Sequence, residues 1–532
     1  MKSVVKKGFV YLVGAGPGRA DLITIRGAEV LRSADCIIYD KLANPALLKL
    51  ARPDAEIISV PKRTPAGGQG EALHRIKPAF GGFSQEEINR LLVEKASEGK
   101  IVVRLKGGDP CIFGRCAEEL TVLIEAGIDF EIVPGVTAGI AAADYTGILL
   151  TDRRYSSQVV FVTGQEAEGK QQSNIDWQWL AKFQGTIVFY MGMGSLSSIA
   201  AKLMGNGMSA DTPAAVIADA TLPSQRVVKA PLGRVSKECK REQIEPPAIV
   251  VIGAAAGSDV GPSWFMKKPL FGKNIVVTRD SAGNADFAAK IICRGGNPIE
   301  FPTMKIKPLT EKNEFLRALA KISQYDWVVF TSSNGVSIFF EALRSLGKDA
   351  RVFGSNKIAA IGGETAAKLA EFGIKADFVP SVFTGRELGR QLIGLTNLRG
   401  KKILLLRSQL ASDELVEILR QAEAEVLNVP VYAIVEQKAP AACLAPGKTR
   451  GGWLIEKINK GKVDWLTFAS PSSVRVFFEQ IPIRAVNSGT VKVASIGPTT
   501  SEQLKNLGVR VDVTAGEHTV DGLLAAIEKT YA

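Results

Sequence analysis

The chain has 532 residues, 46% of them hydrophobic, and a formal net charge of +12. That length exceeds what one hydrophobic core fills and predicts about two to four domains. Lysines and arginines are spread without a basic block, and no zinc-finger or RNA-recognition pattern appears. A polycarboxylate small molecule accounts for the charge at least as well as a nucleic acid or a membrane.

Cys36, Cys111, Cys116, Cys239, Cys293 and Cys443 are scattered and form no CxxC pair. With no secretory leader and no apolar run of membrane length, the expectation is a reduced, soluble, cytoplasmic protein. Cys111 and Cys116 have a spacing a metal could use, but His74 and His518 are the only histidines, and no metal is expected.

Val10-Tyr11-Leu12-Val13 predicts a short buried strand ending in Gly14-Ala15-Gly16-Pro17-Gly18. Pro17 follows Gly16 directly, so the GxGxxG spacing of a dinucleotide site fails. Asp35-Cys36-Ile37-Ile38-Tyr39-Asp40 predicts a second strand ending in a carboxylate, and Ile57-Ile58-Ser59-Val60 a third, followed by Pro61, Lys62 and Arg63. Asp40 and Lys62, at neighbouring strand ends, can converge on one cleft as acid and base. A surface ion pair is the plainer alternative. Residues 64–82 are glycine-rich, carry His74, and predict a loop near a substrate mouth. Ser84 and Glu87 then form a capping box.

The chain is organised around Val102-Val103-Arg104-Leu105-Lys106-Gly107-Gly108-Asp109-Pro110-Cys111-Ile112-Phe113-Gly114-Arg115. A β-branched strand breaks into a glycine turn that lets backbone approach a ligand, with a carboxylate at the bend. Open α/β sheets place ligands at such strand ends; a connector with a capping Asp fits the same residues. Val133-Pro134-Gly135-Val136-Thr137-Ala138 is another strand end, and residues 159–164 open a second subdomain. Thr186-Ile187-Val188-Phe189-Tyr190-Met191-Gly192, then Thr212-Pro213-Ala214-Ala215-Val216-Ile217 with Ala220, and Pro246-Pro247-Ala248-Ile249-Val250-Val251-Ile252-Gly253 complete the first half.

In this order the blocks resemble the tetrapyrrole methylases that use S-adenosylmethionine, over residues 8–256. RLKGGDP followed by IFGR resembles the uroporphyrinogen-III C-methyltransferases in particular. The resemblance implies a two-subdomain methylase fold and a homodimer formed through this domain. It places Pro17, Gly107, Gly108, Asp109, Ile112, Thr137, Ala138, Met191 and Ala220 at the cofactor and Arg115 at the substrate. Asp40 and Lys62 match its proton acceptor and donor. The chain departs from the pattern with Pro61 where glycine is usual, with the 64–82 insertion, and with Asp152 in place of a histidine, so no role carries over to Asp152.

Residues 257–272 read as a linker, docked by Trp264 and Phe265. An internal repeat follows. Asp326-Trp327 recurs as Asp464-Trp465, an offset of 464 − 326 = 138, and Gly362 recurs as Gly497, an offset of 497 − 362 = 135. Each unit closes on a glycine-led strand, at residues 373–380 and 508–514. Strand–helix alternation predicts two similar parallel α/β lobes. Each offers hydroxyls at strand-to-helix turns: Ser332, Ser333 and Thr365 in one, Ser470, Ser472, Thr499 and Thr500 in the other. Helix N-termini carrying hydroxyls suit carboxylates, although simple capping fits each one singly.

FTSSNGV, AIGGETA, PVY, FASPSSV and IGPTT resemble uroporphyrinogen-III synthase. This implies a two-lobed parallel α/β synthase fold at 273–532, with residues 307–436 as a lobe inserted into the other through a two-stranded connector. Tyr432 matches its substrate-contacting tyrosine; Ser332, Thr365, Ser470, Thr499 and Thr500 are its candidate substrate contacts.

Both resemblances imply consecutive steps in tetrapyrrole biosynthesis. Linear hydroxymethylbilane would close to uroporphyrinogen III, which would take two methyls from S-adenosylmethionine to give precorrin-2, on the way to siroheme or cobalamin. The alternative is a methylase of a later corrin precursor fused to the synthase. A non-catalytic pair of binding modules is disfavoured by Asp40, Lys62 and Asp109. No dehydrogenase segment is seen ahead of Gly8, so no oxidation or iron insertion is expected, and neither nucleic acid nor membrane is expected as a partner.

Overall fold

The structure is a computed structural model that describes residues 7–61, 82–154, 156–166, 173–258, 263–437, 450–487 and 489–531. Its first sheet is built from β1 (Phe9–Gly14), β2 (Cys36–Tyr39), β3 (Glu56–Ser59), β4 (Ile101–Lys106) and β5 (Asp129–Val133). The order is β3-β2-β4-β1-β5, parallel throughout. Such a sheet is covered on both faces, which is why β2 is buried at every residue. Alternation sends Val10, Leu12 and Val102 to one core and Val13, Val103 and Leu105 to the other.

A second sheet has β6 (Val159–Thr163), β7 (Thr186–Tyr190), β8 (Pro213–Ala218), β9 (Arg226–Pro231) and β10 (Ala248–Ile252). Its order is β6-β7-β10-β8-β9, with only β6 and β7 parallel.

The second half starts with β11 (Asn274–Val277) and β12 (Asn297–Glu300). The chain then leaves to build a separate sheet from β13 (Met304–Pro308), β14 (Trp327–Phe330), β15 (Lys357–Ala360), β16 (Lys402–Ser408) and β17 (Glu425–Glu436), in the order β13-β17-β16-β14-β15. It returns with β18 (Trp465–Phe468), β19 (Lys492–Ser495) and β20 (Val513–Thr514) to complete the order β12-β11-β18-β19-β20. Every pair in the two sheets is parallel except β13 with β17, whose antiparallel register runs from Met304 opposite Glu436 to Pro308 opposite Tyr432. That ribbon sits where the chain crosses between the lobes, since the Gln437 N–H donates to the Thr303 carbonyl at 2.9 Å.

The internal repeat has a physical basis. Asp326 and Asp464 stand ahead of the Trp-led strands, and each accepts the leading N–H of a neighbouring strand, from Lys402 at 2.9 Å and from Asn274 at 2.7 Å. Asp377 and Asp512 do the same for Ile358 and Val493, at 2.7 and 2.8 Å. One sequence expectation is corrected: residues 373–380 form no strand, only a single bridge from Ala359 to Phe378.

The segment between the halves is docked at both ends. The Trp264 indole donates to the Asp144 carbonyl at 3.0 Å, and the Tyr145 ring lies 4.9 Å from both Trp264 and Phe265. Leu270 belongs to the core of the second half, with Ile275, Phe287 and Leu524. Lys49 pairs directly with Glu300 across the halves.

A fragment beginning at Ser263 keeps all residues of both second-half cores. It is expected to unfold in one cooperative thermal transition followed by circular dichroism. A gradual, non-cooperative loss of signal would show that the first half is needed for folding.

Candidate active site

Three strand ends of the first sheet meet through glycines. The Gly16 and Gly108 backbones bond each other in both directions, at 3.2 Å from the Gly16 N–H and 2.8 Å from the Gly108 N–H. Gly108 has φ +68°, a conformation that favours glycine, and a Cβ on Gly135 would lie 2.3 Å from the Gly108 carbonyl oxygen. The turns that follow β1, β4 and β5 are thereby pressed into one backbone-lined cradle. Asp109 stitches it: Oδ1 accepts the Cys111 N–H at 2.8 Å and Oδ2 accepts the Gly135 N–H at 3.0 Å.

Pro17, Gly107, Gly108, Asp109 and Thr137 lie on these three turns, and Ala138 begins the helix Ala138–Thr146 that follows the third. Thr137 is buried and shares a 2.8 Å hydrogen bond with the Tyr190 hydroxyl, which also accepts the Gly139 N–H at 2.9 Å. Ile112 packs against the apolar cluster of Val188 and Tyr190, with Ala220 beside it. Met191 follows Tyr190 with φ 53° and is 49% exposed, so its thioether is available to a ligand rather than filling core. Beyond the cradle, Phe113 and Arg115 both take positive φ, and Arg115 grips Glu118 through two bonds of 2.7 and 2.6 Å at the surface.

Asp40 follows β2, one strand away. Arg104 holds its Oδ1 at 2.6 Å. Arg104 also donates through Nε to Glu119 at 2.9 Å, and Lys106 takes the other Glu119 oxygen. The side chains of Arg104, Lys106 and Glu119 are 1%, 2% and 0% exposed. Burial alone would pull the Arg104 guanidinium down, but the Asp40 and Glu119 carboxylates outweigh it and hold its pKa above the ordinary arginine value. Burial likewise pushes the nearby Cys116 thiol up to about 12. Lys62, His74 and most of the 64–82 insertion lie outside the described residues. No cluster of three or more His, Cys, Asp or Glu side chains is placed to hold a metal among the described residues.

In the second half, Ser332 and Ser470 cap the helices Ser333–Ser345 and Pro471–Gln480, accepting from Gly335 and Ser473 at 3.0 and 3.2 Å. The Tyr432 hydroxyl donates to the Ser332 oxygen at 3.1 Å. Thr365 and Thr500 are buried in the first turns of the helices Gly363–Glu371 and Pro498–Asn506, while Thr499 is exposed. Neither of those helices has a side-chain cap, so first-turn N–H groups are left without one; in the second helix these begin at Thr499, because Pro498 has no N–H.

The chain matches the family model of Tetrapyrrole (Corrin/Porphyrin) Methylases over residues 10–236 and that of Uroporphyrinogen-III synthase HemD over residues 285–525. The porphyrin biosynthesis protein HemD of Ruminiclostridium josui is 38% identical across 98% of this chain and 97% of its own length. The chain belongs to that family. It is an enzyme that joins a methylase half to a synthase half. The uroporphyrinogen-III C-methyltransferase of Priestia megaterium is 45% identical over 46% of this chain and 97% of its own length. That of Bacillus subtilis (strain 168) is 41% identical over 65% of this chain and 68% of its own.

Sequence reasoning missed Arg104, Lys106 and Glu119 in the methylase half. The signal was present: two cations two residues apart in an apolar strand share a face, and a buried face needs a carboxylate.

Glu119→Ala leaves Arg104 and Lys106 without that carboxylate. A loss of about 3–5 kcal/mol is expected, read as a lower midpoint for the methylase half in urea unfolding.

Proposed function

We propose that this chain closes hydroxymethylbilane to uroporphyrinogen III in its synthase half and methylates the product twice with S-adenosylmethionine, to precorrin-2, in its methylase half. The observation that carries the reading is the glycine cradle with Asp40 at the adjoining strand end, in a chain whose other half belongs to the synthase family.

The methyl donor would sit at these strand ends, where glycines let three turns close on one another and where Met191, exposed in the second sheet's turn, would reach it. Pro17, Gly107, Gly108, Asp109, Ile112, Thr137, Ala138, Met191 and Ala220 would hold it. When bound, it supplies an electrophilic methyl on a sulfonium. A pyrrole carbon of the substrate is already nucleophilic, so the protein's task is alignment and proton removal. Asp40 takes the proton and Lys62 gives one. Arg115 turns from Glu118 to a substrate carboxylate.

In the synthase half, Tyr432 donates its proton to the leaving hydroxyl of the bilane, which departs as water. The open N-termini at Gly363 and Pro498, with Thr365, Thr499 and Thr500, bind propionate and acetate groups, and Ser332 and Ser470 fix the turns beside them. The net charge of +12 suits so acidic a substrate. Exposed Ile25, Ile132, Ile140 and Leu149 on the methylase half support a homodimer through that domain. The described residues contain no helix long and apolar enough to cross a membrane.

Incubation with hydroxymethylbilane and S-adenosylmethionine should give a macrocycle of the III isomer heavier by two methyl groups in mass spectrometry. The isomer I skeleton, or no mass gain on uroporphyrinogen III, would sink the synthase or the methylase reading respectively. Asp109→Ala frees the Cys111 and Gly135 N–H groups and loosens the cradle. It should weaken S-adenosylmethionine binding by at least about tenfold in calorimetry, with bilane closure unchanged.

A further inference from the structure

Asp40 is held differently from the other strand-end carboxylates. Asp35 gives one oxygen to Arg52 and the other to the Ile101 N–H, and Asp109 gives both to backbone N–H groups. Asp40 gives only Oδ1, to Arg104, and its Oδ2 has no hydrogen-bond partner among the described residues. The Asp40 side chain is 20% exposed, whereas that of Arg104 is 1% exposed. The grip therefore comes from inside the fold and leaves one oxygen for the cleft.

Arg104 can serve this way because it is itself immobilised. Its Nε is bonded to Glu119, and its NH1 approaches the carbonyls of Ile38 and Leu105 at 3.4 Å each. Glu119 cannot swing away, because Lys106 holds its second oxygen. Lys106 belongs in turn to the cradle: its carbonyl accepts the Ala15 N–H at 2.7 Å. Bonds thus run unbroken from the glycine turns, through Lys106, Glu119 and Arg104, to Asp40. A guanidinium bonds Glu119 through Nε and Asp40 through a terminal nitrogen, two donors held apart in one rigid plane, whereas an ammonium would have to serve both carboxylates from a single nitrogen on a flexible stem.

We infer that Arg104 is a positioning residue for methyl transfer, which sets the Asp40 carboxylate in register with the cofactor cradle. The inference rests on the reading of Asp40 as proton acceptor. A merely structural ion network would instead cost folding and cofactor binding when disturbed.

Arg104→Lys keeps the charge and removes the fork. It should bind S-adenosylmethionine with unchanged affinity in calorimetry, close hydroxymethylbilane normally, and lose on the order of 10²-fold in kcat for methylation of uroporphyrinogen III, with KM little changed. In an Asp40→Asn background the same substitution should cost nothing further, because it acts through the group already removed. Unchanged kcat in Arg104→Lys, or losses that multiply in the double variant, overturn the inference while leaving Asp40 in place. Loss of cofactor affinity in parallel with turnover assigns Arg104 a structural role and also overturns it. Normal turnover in Asp40→Asn alone overturns the acid–base reading itself, and the inference with it.

Discussion

Glu119, a carboxylate with no contact with water, sits between two cations on one face of a buried strand, and the methylase half is arranged about it. Apolar side chains and alternation would let β4 lie either way up; Arg104 and Lys106 cannot face an apolar core without a counter-charge, so Glu119 fixes the face. Glu119 stands on the helix Cys116–Glu125, so pairing it also fixes where that helix begins. The turn before the helix carries Phe113 and Arg115 in left-handed backbone, and its length is set by the two ends it must join. The glycine turns close on one another beside it, and Lys106 ties them to the buried ions, its carbonyl accepting the Ala15 N–H while its ammonium holds Glu119.

Much of this was legible from residues near one another in the chain. Glycines at successive strand ends, the Asp-Trp repeat and the hydroxyl-led helices are local patterns, and the structure shows them as strand ends, strand entrances and helix starts. What was not legible depends on long-range contact. Asp109 reads as a carboxylate turned to a ligand, yet Gly135, 26 residues on, takes one of its oxygens. Tyr190 reads as strand core, but its hydroxyl joins Thr137 and Gly139 more than 50 residues away. The strand expected at residues 373–380 shrinks to a bridge at Phe378, although Asp377 makes the same bond to a strand N–H that Asp512 makes beside β20.

The two synthase lobes show which parts of a repeated unit tolerate drift. The stretch from Asp326 to Gly362 spans 362 − 326 = 36 positions, and its counterpart from Asp464 to Gly497 spans 497 − 464 = 33. The difference falls in the Phe-Phe-Glu helices themselves, 13 residues from Ser333 to Ser345 in one lobe and 10 from Pro471 to Gln480 in the other, while the connections that follow, 346–356 and 481–491, are equally long. The aspartates at the strand entrances keep their bonds in both lobes. Strand entrance is set by a hydrogen bond of fixed reach, whereas a helix can gain about one turn at its far end without moving its start.

The ribbon of β13 and β17 limits how the synthase lobes can move. A single tether would leave them free to swivel about the chain axis; two strands bonded side by side remove that torsion and leave bending across the ribbon. What freedom a paired ribbon leaves is bending across its strands. Tyr432 lies on this ribbon, but its hydroxyl is bonded to Ser332 of the inserted lobe. The phenol is therefore fixed to the inserted lobe, whatever the ribbon allows the other lobe to do.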